Sequence, residues 1–379
     1  MVDSTNHPLS GLWRPGGVKA VYYGSNSVEK HLLVALPSES SKAFIITGNS
    51  LATKTNLVKK VEQILGSSHH VGTFSRIGEH APVAQLDEAT EIVKKDLFVD
   101  TIISIGGGSP IDSAKAISNR LHEVSGKYLY HIAIPTTLSA AECSGGAGYT
   151  TSDGLKKAVS GAGLVPSVVI YDSSFVLDTP PQLWMSTGLR ALDHAMELMY
   201  HPTATELARL MCLQAASGLF IHLPRYKKDP TDQEVITQLQ LAAYASLGYL
   251  GLNVKGPLGL SHTLGYALGS PYKIPHGVTS CLTLGHVVKM KAADDAANAE
   301  QIARMAPFVG LTRSGDDEQD AKQVGQAVLD LVQNLGLKTT LTERHVGRDQ
   351  VPIIAKRALG GTESGPLYDK VVALVEGLY

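Results

Sequence analysis

Residues 100–117 read DTIISIGGGSPIDSAKAI, and this stretch decides the fold. Its first part, residues 101–105, is an apolar and β-branched run, which is typical of a buried parallel strand. The three glycines at 106–108 then permit backbone angles that other residues avoid. A strand followed by such a turn and a helix directs free N–H groups and the helix dipole at whatever lies above the turn.

The residues after the glycines predict the start of that helix. Ser109 stands where an N-cap is expected, Pro110 at the first helical position, and Asp112 three residues after the cap. The spacing Gly-x-Gly-x-x-Gly of the usual dinucleotide fingerprint is absent. From these residues alone, the turn is either a cradle for a phosphate or a plain tight connection.

The chain around this stretch alternates strands with helices. Helical spacing marks residues 54–65 and 83–97, and a hairpin is predicted to turn at Asp153-Gly154. Short apolar runs predict further strands at 21–23, 43–47, 131–134 and 168–171. The alternation predicts βαβ units and a parallel sheet. Beyond residue 178 we find only helical patterns, so an α/β domain over residues 1–178 precedes an all-α domain over 179–379, with a cleft expected between them.

Composition narrows the class of protein. The 379 residues are 44% hydrophobic, which is enough for a core in each of two domains. A formal net charge of −2 gives no basic surface for nucleic acid. The three cysteines are far apart and fit a reducing compartment. No signal-peptide pattern and no spanning run of about 18 apolar residues is found, so we expect a cytoplasmic protein with no membrane or nucleic-acid partner.

Three histidines in the helical half are candidates for chemistry. His194 shares a helical face with Arg190, His262 shares one with Tyr266, and His276 stands at the start of a helix. Three imidazoles from three elements can converge on one divalent ion. Each of them can equally be an ordinary hydrogen-bonded histidine.

The chain resembles the iron-containing alcohol dehydrogenase superfamily, which also holds the maleylacetate reductases. The resemblance spans most of the chain, and it implies a Rossmann-like N-terminal domain and a helical C-terminal domain of the dehydroquinate synthase-like type. The motifs that carry it are Gly106–Lys115, Ile134–Thr137 with Glu142, Ala191–Glu197, Gly259–His262 and Pro275–Gly277.

The resemblance implies a nicotinamide cofactor, NADPH or NADH. Gly107, Gly108 and Ser109 would hold its pyrophosphate, and Lys156 would reach its ribose. The second strand ends in Gly48-Asn49, where NAD-specific members carry an aspartate, so a 2′-phosphate is not repelled and NADPH is favoured. The implied cofactor-binding residues are Gly48, Asn49, Gly107, Gly108, Ser109, Asp112, Thr136, Thr137, Ser139 and Lys156.

One position departs from the metal-dependent members, which bind iron or zinc through one Asp and three His. The histidine positions survive as His194, His262 and His276, but Arg190 stands at the Asp position. An arginine stays protonated and cannot bind a cation. Either Arg190 takes the place of the metal, which we favour, or it turns away to Glu197 and the three histidines hold zinc or iron.

Together these residues predict an NAD(P)H-dependent oxidoreductase that reduces a carbonyl or an activated double bond of a small molecule, without a metal. Arg190, His194, His262 and His276 would stabilise charge on the substrate oxygen, with Tyr266 or a histidine as proton donor. The alternatives are a metal-dependent alcohol dehydrogenase, a lyase, dehydratase or cyclase on the same scaffold, and a nucleotide-binding pseudoenzyme. The resemblance also implies a homodimer.

Overall fold

The computed structural model describes residues 12–252 and 254–379. The chain forms two compact units: one comprises residues 16–184 and 229–241, and the other is the rest of the described chain.

The first unit is built on a six-stranded parallel sheet, with strand order β1-β8-β5-β4-β2-β3. Strands β2 and β4 are almost completely buried, as their continuous apolar sequences predict. An antiparallel hairpin of β6 and β7 confirms the predicted turn at Asp153-Gly154. The strands are β1 Ala20–Tyr23, β2 Ala43–Gly48, β3 His70–Ile77, β4 Thr101–Gly106, β5 Tyr130–Pro135, β6 Gly146–Thr150, β7 Lys156–Ser160 and β8 Val168–Tyr171.

Helices cover both faces of this sheet, because alternate residues of each strand point to opposite sides. Ile45 and Ile103 pack against α1 and α3 on one face. Ile46 and Ile102 pack against α4 and α5 on the other. The helices of this part are α1 Ser27–His31, α2 Asn49–Lys54, α3 Leu57–His69, α4 Val83–Lys94 and α5 Gly108–Ser125.

The order of strands creates a switch point between β2 and β4. The chain runs from β2 outward to the edge strand β3 and then returns to place β4 on the other side of β2. In open α/β sheets, ligands bind outside the carboxyl ends of the strands at such a point. The glycine turn lies there, directly after β4.

Strand β3, helix α2 and the start of helix α5 differ from the sequence predictions. Strand β3 was not predicted, because its sequence HVGTFSRI mixes polar and apolar residues without a continuous apolar run, and only two of its eight residues are buried. Helix α5 begins at Gly108 after an extended Gly107, so Ser109 lies within the first turn and is not the N-cap.

The chain after Pro181 is helical, and the structure confirms that no strand follows β8 within the described residues. Helices α13 and α14 were not predicted. The helices are α6 Pro181–Met199, α7 Glu206–Lys228, α8 Gln233–Leu247, α9 Leu260–Tyr272, α10 His276–Asp294, α11 Ala296–Ala303, α12 Asp317–Leu335, α13 Val351–Ala358 and α14 Pro366–Glu376.

Helix α7 is long and apolar enough to cross a membrane by length and composition alone. The same criterion selects core helices of soluble proteins, and α7 buries one face that includes Cys212, Ala216 and Leu219. Its length is therefore weak evidence for a membrane span.

Candidate functional site

The glycine turn after β4 lies against the loop that follows β5. Gly106 has a φ of +136°, a conformation that side chains rarely adopt. A Cβ atom on Gly107 would come within 3.0 Å of Thr137 Cγ2, and one on Gly108 within 3.4 Å of Ser139 Oγ. The structure therefore brings Gly107, Gly108, Thr137 and Ser139 together at the start of α5, where backbone N–H groups favour an anion.

A buried lysine of helix α5 holds the loop that follows β5. Lys115 is fully buried, and its ammonium donates to the carbonyls of Ala141 (2.5 Å) and Gly146 (2.7 Å). The backbone N–H of Thr136 donates to Gly106 O at 2.9 Å. Because hydrogen bonds hold both ends of this loop, the loop stays packed against the glycine turn.

Asp112 and Lys156 lie near each other at the hairpin. Asp112 Oδ2 accepts a hydrogen bond from Gly148 N at 3.0 Å, and its Oδ1 lies 3.7 Å from the Lys115 ammonium. Lys156 lies over Gly148, since a Cβ there would come within 2.3 Å of Lys156 Cε. Lys156 also lies near His80: burial, and to a smaller extent the charge of Lys156, lower the pKa of the His80 imidazole to about 4. The carboxylate of Asp112 is thus committed to protein groups that hold the hairpin.

Gly48 is the last residue of β2, and Asn49 is the first residue of α2. Both lie at the carboxyl end of the strand next to β4, as the parallel register of β2 and β4 requires. Neither residue carries a carboxylate at this strand end. Most of the predicted cofactor residues therefore lie at the carboxyl ends of β2, β4 and β5, which are neighbours in the sheet, whereas Asp112 lies within α5 and Lys156 begins β7.

The second group of candidate residues lies on helix α6. Arg190, Asp193, His194 and Glu197 have the spacing i, i+3, i+4 and i+7, so they share one face. All four are buried, with Asp193 and Glu197 fully so. Charged side chains at this depth must be paired with one another or with other polar groups.

Glu197 holds His262 and the start of helix α9. Its Oε2 lies 2.6 Å from His262 Nδ1, and its Oε1 accepts from Ser261 N at 2.7 Å. A negative charge at a helix N-terminus is stabilised by the unpaired N–H groups there. A Cβ on Gly259 would lie 2.5 Å from Glu197 Oε1, which explains a glycine at this cap.

His262 and His194 lie side by side but in different electrostatic environments. Their ring centroids are 4.8 Å apart. Burial and Arg190 lower the pKa of His262, but Asp193 and Glu197 outweigh them and raise it above its ordinary value. Burial, His262 and Arg190 hold the pKa of His194 well below its ordinary value. Since Nδ1 of His262 faces the carboxylates, its Nε2, which has no hydrogen-bond partner among the described residues, is the nitrogen left for a ligand.

Arg190 pairs with Asp193 rather than with Glu197. Its Nη1 lies 3.3 Å from Asp193 Oδ2 and 3.4 Å from Ser280 Oγ. The guanidinium carbon lies 6.0 Å from the centroid of the Tyr266 ring. In this structure Arg190 does not turn to Glu197, a contact considered only for the alternative, metal-bound form.

Tyr266 and His276 complete the cluster. Their rings meet edge to face with centroids 5.9 Å apart, and Tyr266 is 44% exposed. Two glycines one turn apart on α9 make room for these groups: a Cβ on Gly265 would lie 3.3 Å from Arg190 Nη1, and one on Gly269 would lie 3.1 Å from His276 Cε1. Contacts thus link Arg190 to Tyr266, Tyr266 to His276, and His194 to His262.

The donor groups do not match a metal site with one Asp and three His. Arg190 carries a permanent positive charge at the position where the resemblance implies an Asp ligand. Asp193, Glu197 and His262 have ligand-type atoms within 4.8 Å of one another. The distance of 2.6 Å between Glu197 Oε2 and His262 Nδ1 is that of a hydrogen bond, and an ion with bonds of about 2.0–2.2 Å does not fit between them. Sequence reasoning did not identify Asp193, because its partners come from helices that are distant along the chain.

The chain is similar to known proteins over most of its length. The family model of the iron-containing alcohol dehydrogenases matches residues 19–173, and the C-terminal model of that family matches residues 184–372. Maleylacetate reductase 1 of Cupriavidus pinatubonensis is 30% identical over 76% of this chain and 75% of its own length. The NAD-dependent methanol dehydrogenase of Bacillus methanolicus is 26% identical over 86% of this chain and 88% of its own length.

A solved structure has the same fold. The maleylacetate reductase of Rhizobium sp. strain MTP-10005 superposes with a TM-score of 0.79 over 98% of both chains, at 24% identity. The predicted fold class, a Rossmann-like α/β domain followed by a helical domain, is thereby confirmed. The chain belongs to the iron-containing alcohol dehydrogenase superfamily, in its maleylacetate reductase-like branch, and is a nicotinamide-dependent oxidoreductase.

Proposed function

We propose that this oxidoreductase uses NADPH or NADH to reduce a carbonyl, or a double bond conjugated to one, in a small anionic molecule, without a metal ion. The observation that carries the proposal is the buried Arg190 guanidinium, which lies near His194, His262 and Tyr266, at the position where the resemblance implies an Asp ligand of a metal. We further propose that the protein works as a cytoplasmic homodimer.

The cofactor residues support nucleotide binding in the first unit. The N–H groups at the start of α5, with Thr137 and Ser139 beside them, suit the pyrophosphate. Lys156 suits the ribose. Since Gly48 and Asn49 bring no negative charge to the end of β2, we propose that a 2′-phosphate is accepted and NADPH preferred.

In the second unit, Arg190 has the chemistry to stabilise the substrate oxygen. The nicotinamide ring supplies the hydride when bound. A fixed guanidinium in a buried site stabilises the negative charge that develops on that oxygen. The phenol of Tyr266, or one of the three imidazoles, then donates a proton to it. His194 is held neutral by its surroundings and adds no positive charge.

We propose metal independence on electrostatic grounds. A divalent ion beside the guanidinium would be repelled by several kcal/mol, about 8 kcal/mol at 4 Å with an effective dielectric constant of ~20. The test is turnover before and after treatment with a strong chelator, with the metal content measured on the same sample. Unchanged turnover is expected; activity that is lost and then restored by zinc or iron would establish a three-histidine metal enzyme instead.

Maleylacetate is the first substrate to assay, because relatives of 28–30% identity are maleylacetate reductases. It carries two carboxylates and a conjugated ketone, and a guanidinium binds a carboxylate or polarises a carbonyl. Oxidation of NADPH is followed by its near-ultraviolet absorbance, with simple aldehydes and ketones in parallel. Conversion of substrate without net use of NADPH would support a lyase, dehydratase or cyclase instead.

A matched pair of variants tests the role of the guanidinium. Arg190→Gln is expected to reduce kcat by about a hundredfold or more, the usual cost of losing an oxyanion-stabilising group. Arg304→Gln removes an arginine of the same unit that is partly buried and paired with Glu206, and it should leave kcat near that of the wild type.

A further inference from the structure

Asp193 gathers side chains from three helices onto one buried carboxylate. Its Oδ2 accepts hydrogen bonds from Ser280 Oγ at 2.6 Å and from Ser261 Oγ at 2.9 Å, and it lies 3.3 Å from Arg190 Nη1. Its Oδ1 lies 3.3 Å from His262 Nδ1. The residue itself is fully buried. Asp193 lies within the motif Ala191–Glu197, but local spacing alone assigns it no role.

The surroundings of Asp193 keep it ionised. Burial raises its pKa, but His262, Arg190 and Ser280 outweigh burial and hold the pKa well below its ordinary value. A buried charge of this kind is strongly bound to its partners, because removing one partner leaves the other uncompensated. The Arg190 guanidinium is therefore tied to a fixed point.

The hydrogen bonds of Arg190 involve one end of its guanidinium group. Only Nη1 has acceptors within the described part of the chain, namely Asp193 Oδ2 and the more distant Ser280 Oγ. Nη2 and Nε donate to no described residue, although the side chain is only 8% exposed. A guanidinium held by one nitrogen keeps its other donors for an incoming oxygen.

We propose that Asp193 is a positioning residue that anchors Nη1 of Arg190 so that Nη2 and Nε face the substrate oxygen. This inference rests on the proposed function in one respect: the group that binds Nη2 and Nε is taken to be the substrate. In this chain Asp193, one helical turn beyond Arg190, holds a guanidinium. In metal-dependent members, the resemblance implies, an Asp at the position of Arg190 binds the metal instead.

The first test measures position without turnover. Crystal structures of the wild type and of Asp193→Asn are compared, with Asp320→Asn as the matched control. Asp320 is also a buried carboxylate of a helix in this unit, and it also binds an arginine and a serine, Arg313 and Ser314. We expect the Arg190 guanidinium to leave its place in Asp193→Asn and to stay in Asp320→Asn; an unmoved guanidinium in Asp193→Asn overturns the proposal.

The second test is chemical rescue. Guanidinium chloride at low concentration is expected to restore part of the activity of Arg190→Ala, saturably, because Asp193 remains to bind it. The double variant Arg190→Ala/Asp193→Asn should not be rescued. Equal rescue of both variants would overturn the proposal.

Kinetics then separate positioning from a general structural role. Asp193→Asn should reduce kcat by about a hundredfold, as expected for a displaced catalytic group. The Kd for NADPH should stay within about twofold of the wild-type value. If Asp193→Asn does not fold, Asp193→Ser replaces it, since a hydroxyl can still accept a hydrogen bond from Ser261 or Ser280. A wild type that turns over no substrate while the guanidinium moves in Asp193→Asn would refute the proposed function and leave the anchoring role standing.

Discussion

Nδ1 of His262 lies 2.6 Å from Oε2 of Glu197, a carboxylate of helix α6 whose other oxygen accepts a hydrogen bond from Ser261 N in the first turn of α9. One side chain thus orients the imidazole and caps the helix that carries it. The orientation follows from the bond, because a histidine that donates through Nδ1 presents Nε2 on its opposite side.

Replacing Glu197 tests this double role. Glu197→Gln is expected to lower the free energy of unfolding by about 3–5 kcal/mol, because it leaves buried groups without their charged partner. Urea denaturation measures the change. Glu343→Gln is the control: Glu343 also accepts a backbone N–H, from Thr340 at 3.0 Å, but it is exposed, so a loss of about 1 kcal/mol or less is expected. Equal losses in both variants would contradict the assignment.

Gly265 gives a prediction in which activity falls while stability is nearly unchanged. Alanine in a helix interior is favoured over glycine by about 1 kcal/mol, but here its Cβ would lie 3.0 Å from Thr279 Oγ1 and 3.3 Å from Arg190 Nη1. We expect Gly265→Ala to reduce kcat by about tenfold or more through displacement of the guanidinium, with little loss in thermal stability.

Gly218→Ala serves as its control. A Cβ at this position of α7 would come within 2.9 Å of Ala242 Cβ, so this variant is also crowded. Its crowding involves no candidate site residue, and stability rather than kcat should fall. A kcat for Gly265→Ala equal to that of the wild type would show that the guanidinium is not confined by α9.

Asn49→Asp tests the nucleotide preference. A carboxylate at the end of β2 would bind ribose hydroxyls and repel a 2′-phosphate. The ratio of kcat/KM for NADPH to that for NADH is expected to fall by about tenfold or more, equivalent to about 1.4 kcal/mol or more. Gln63→Glu makes the same change of charge on an exposed face of α3 and should leave the ratio unchanged. A wild type that already prefers NADH would refute the proposal at once.

His131 gives the stability a dependence on pH. Burial, with a smaller effect of Lys115, lowers the pKa of His131 to about 3 in the folded protein, whereas an unfolded chain has about 6.5. Between these values the unfolded chain binds a proton that the folded chain does not. The stability contributed is therefore present above about pH 6.5 and is lost as the pH falls, by up to about 1.4 kcal/mol per pH unit.

The measurement compares denaturation of the wild type and His131→Gln at about pH 7 and about pH 5. The variant keeps a hydrogen-bonding side chain near Ser104 but cannot take up a proton. We expect acidification to destabilise the wild type by about 1–2 kcal/mol more than the variant. Parallel losses in the two proteins would mean that His131 is not a buried neutral histidine.

Local sequence predicted the parts of the fold that depend on local pattern. Continuous apolar runs located β2, β4, β5 and β8, because a strand buried on both faces needs them. Strand β3 escaped prediction because an edge strand needs less apolar surface. The start of α5 was misjudged since a serine after three glycines resembles an N-cap, whereas the extended Gly107 fills that position.

The candidate site depends on contacts that no local pattern records. Asp193 meets Ser261 and Ser280, which are 68 and 87 residues away along the chain. The spacing on α6 predicts that Arg190 and His194 share a face, but only the packing of α9 and α10 decides which carboxylate each cation meets. The pairing of Arg190 with Asp193, and of His262 with Glu197, is therefore a property of the tertiary structure.

The buried Lys115 has a consequence for protein engineering. Its ammonium belongs to α5, yet it fixes the carbonyls of Ala141 and Gly146 in a segment well beyond that helix. Grafting the segment between β5 and β6 into another dehydrogenase to transfer coenzyme binding would separate these carbonyls from their cation. Such a chimera needs the lysine of the donor helix as well as the transplanted loop. Without that lysine, the two carbonyls lose the ammonium group that holds the loop in its conformation.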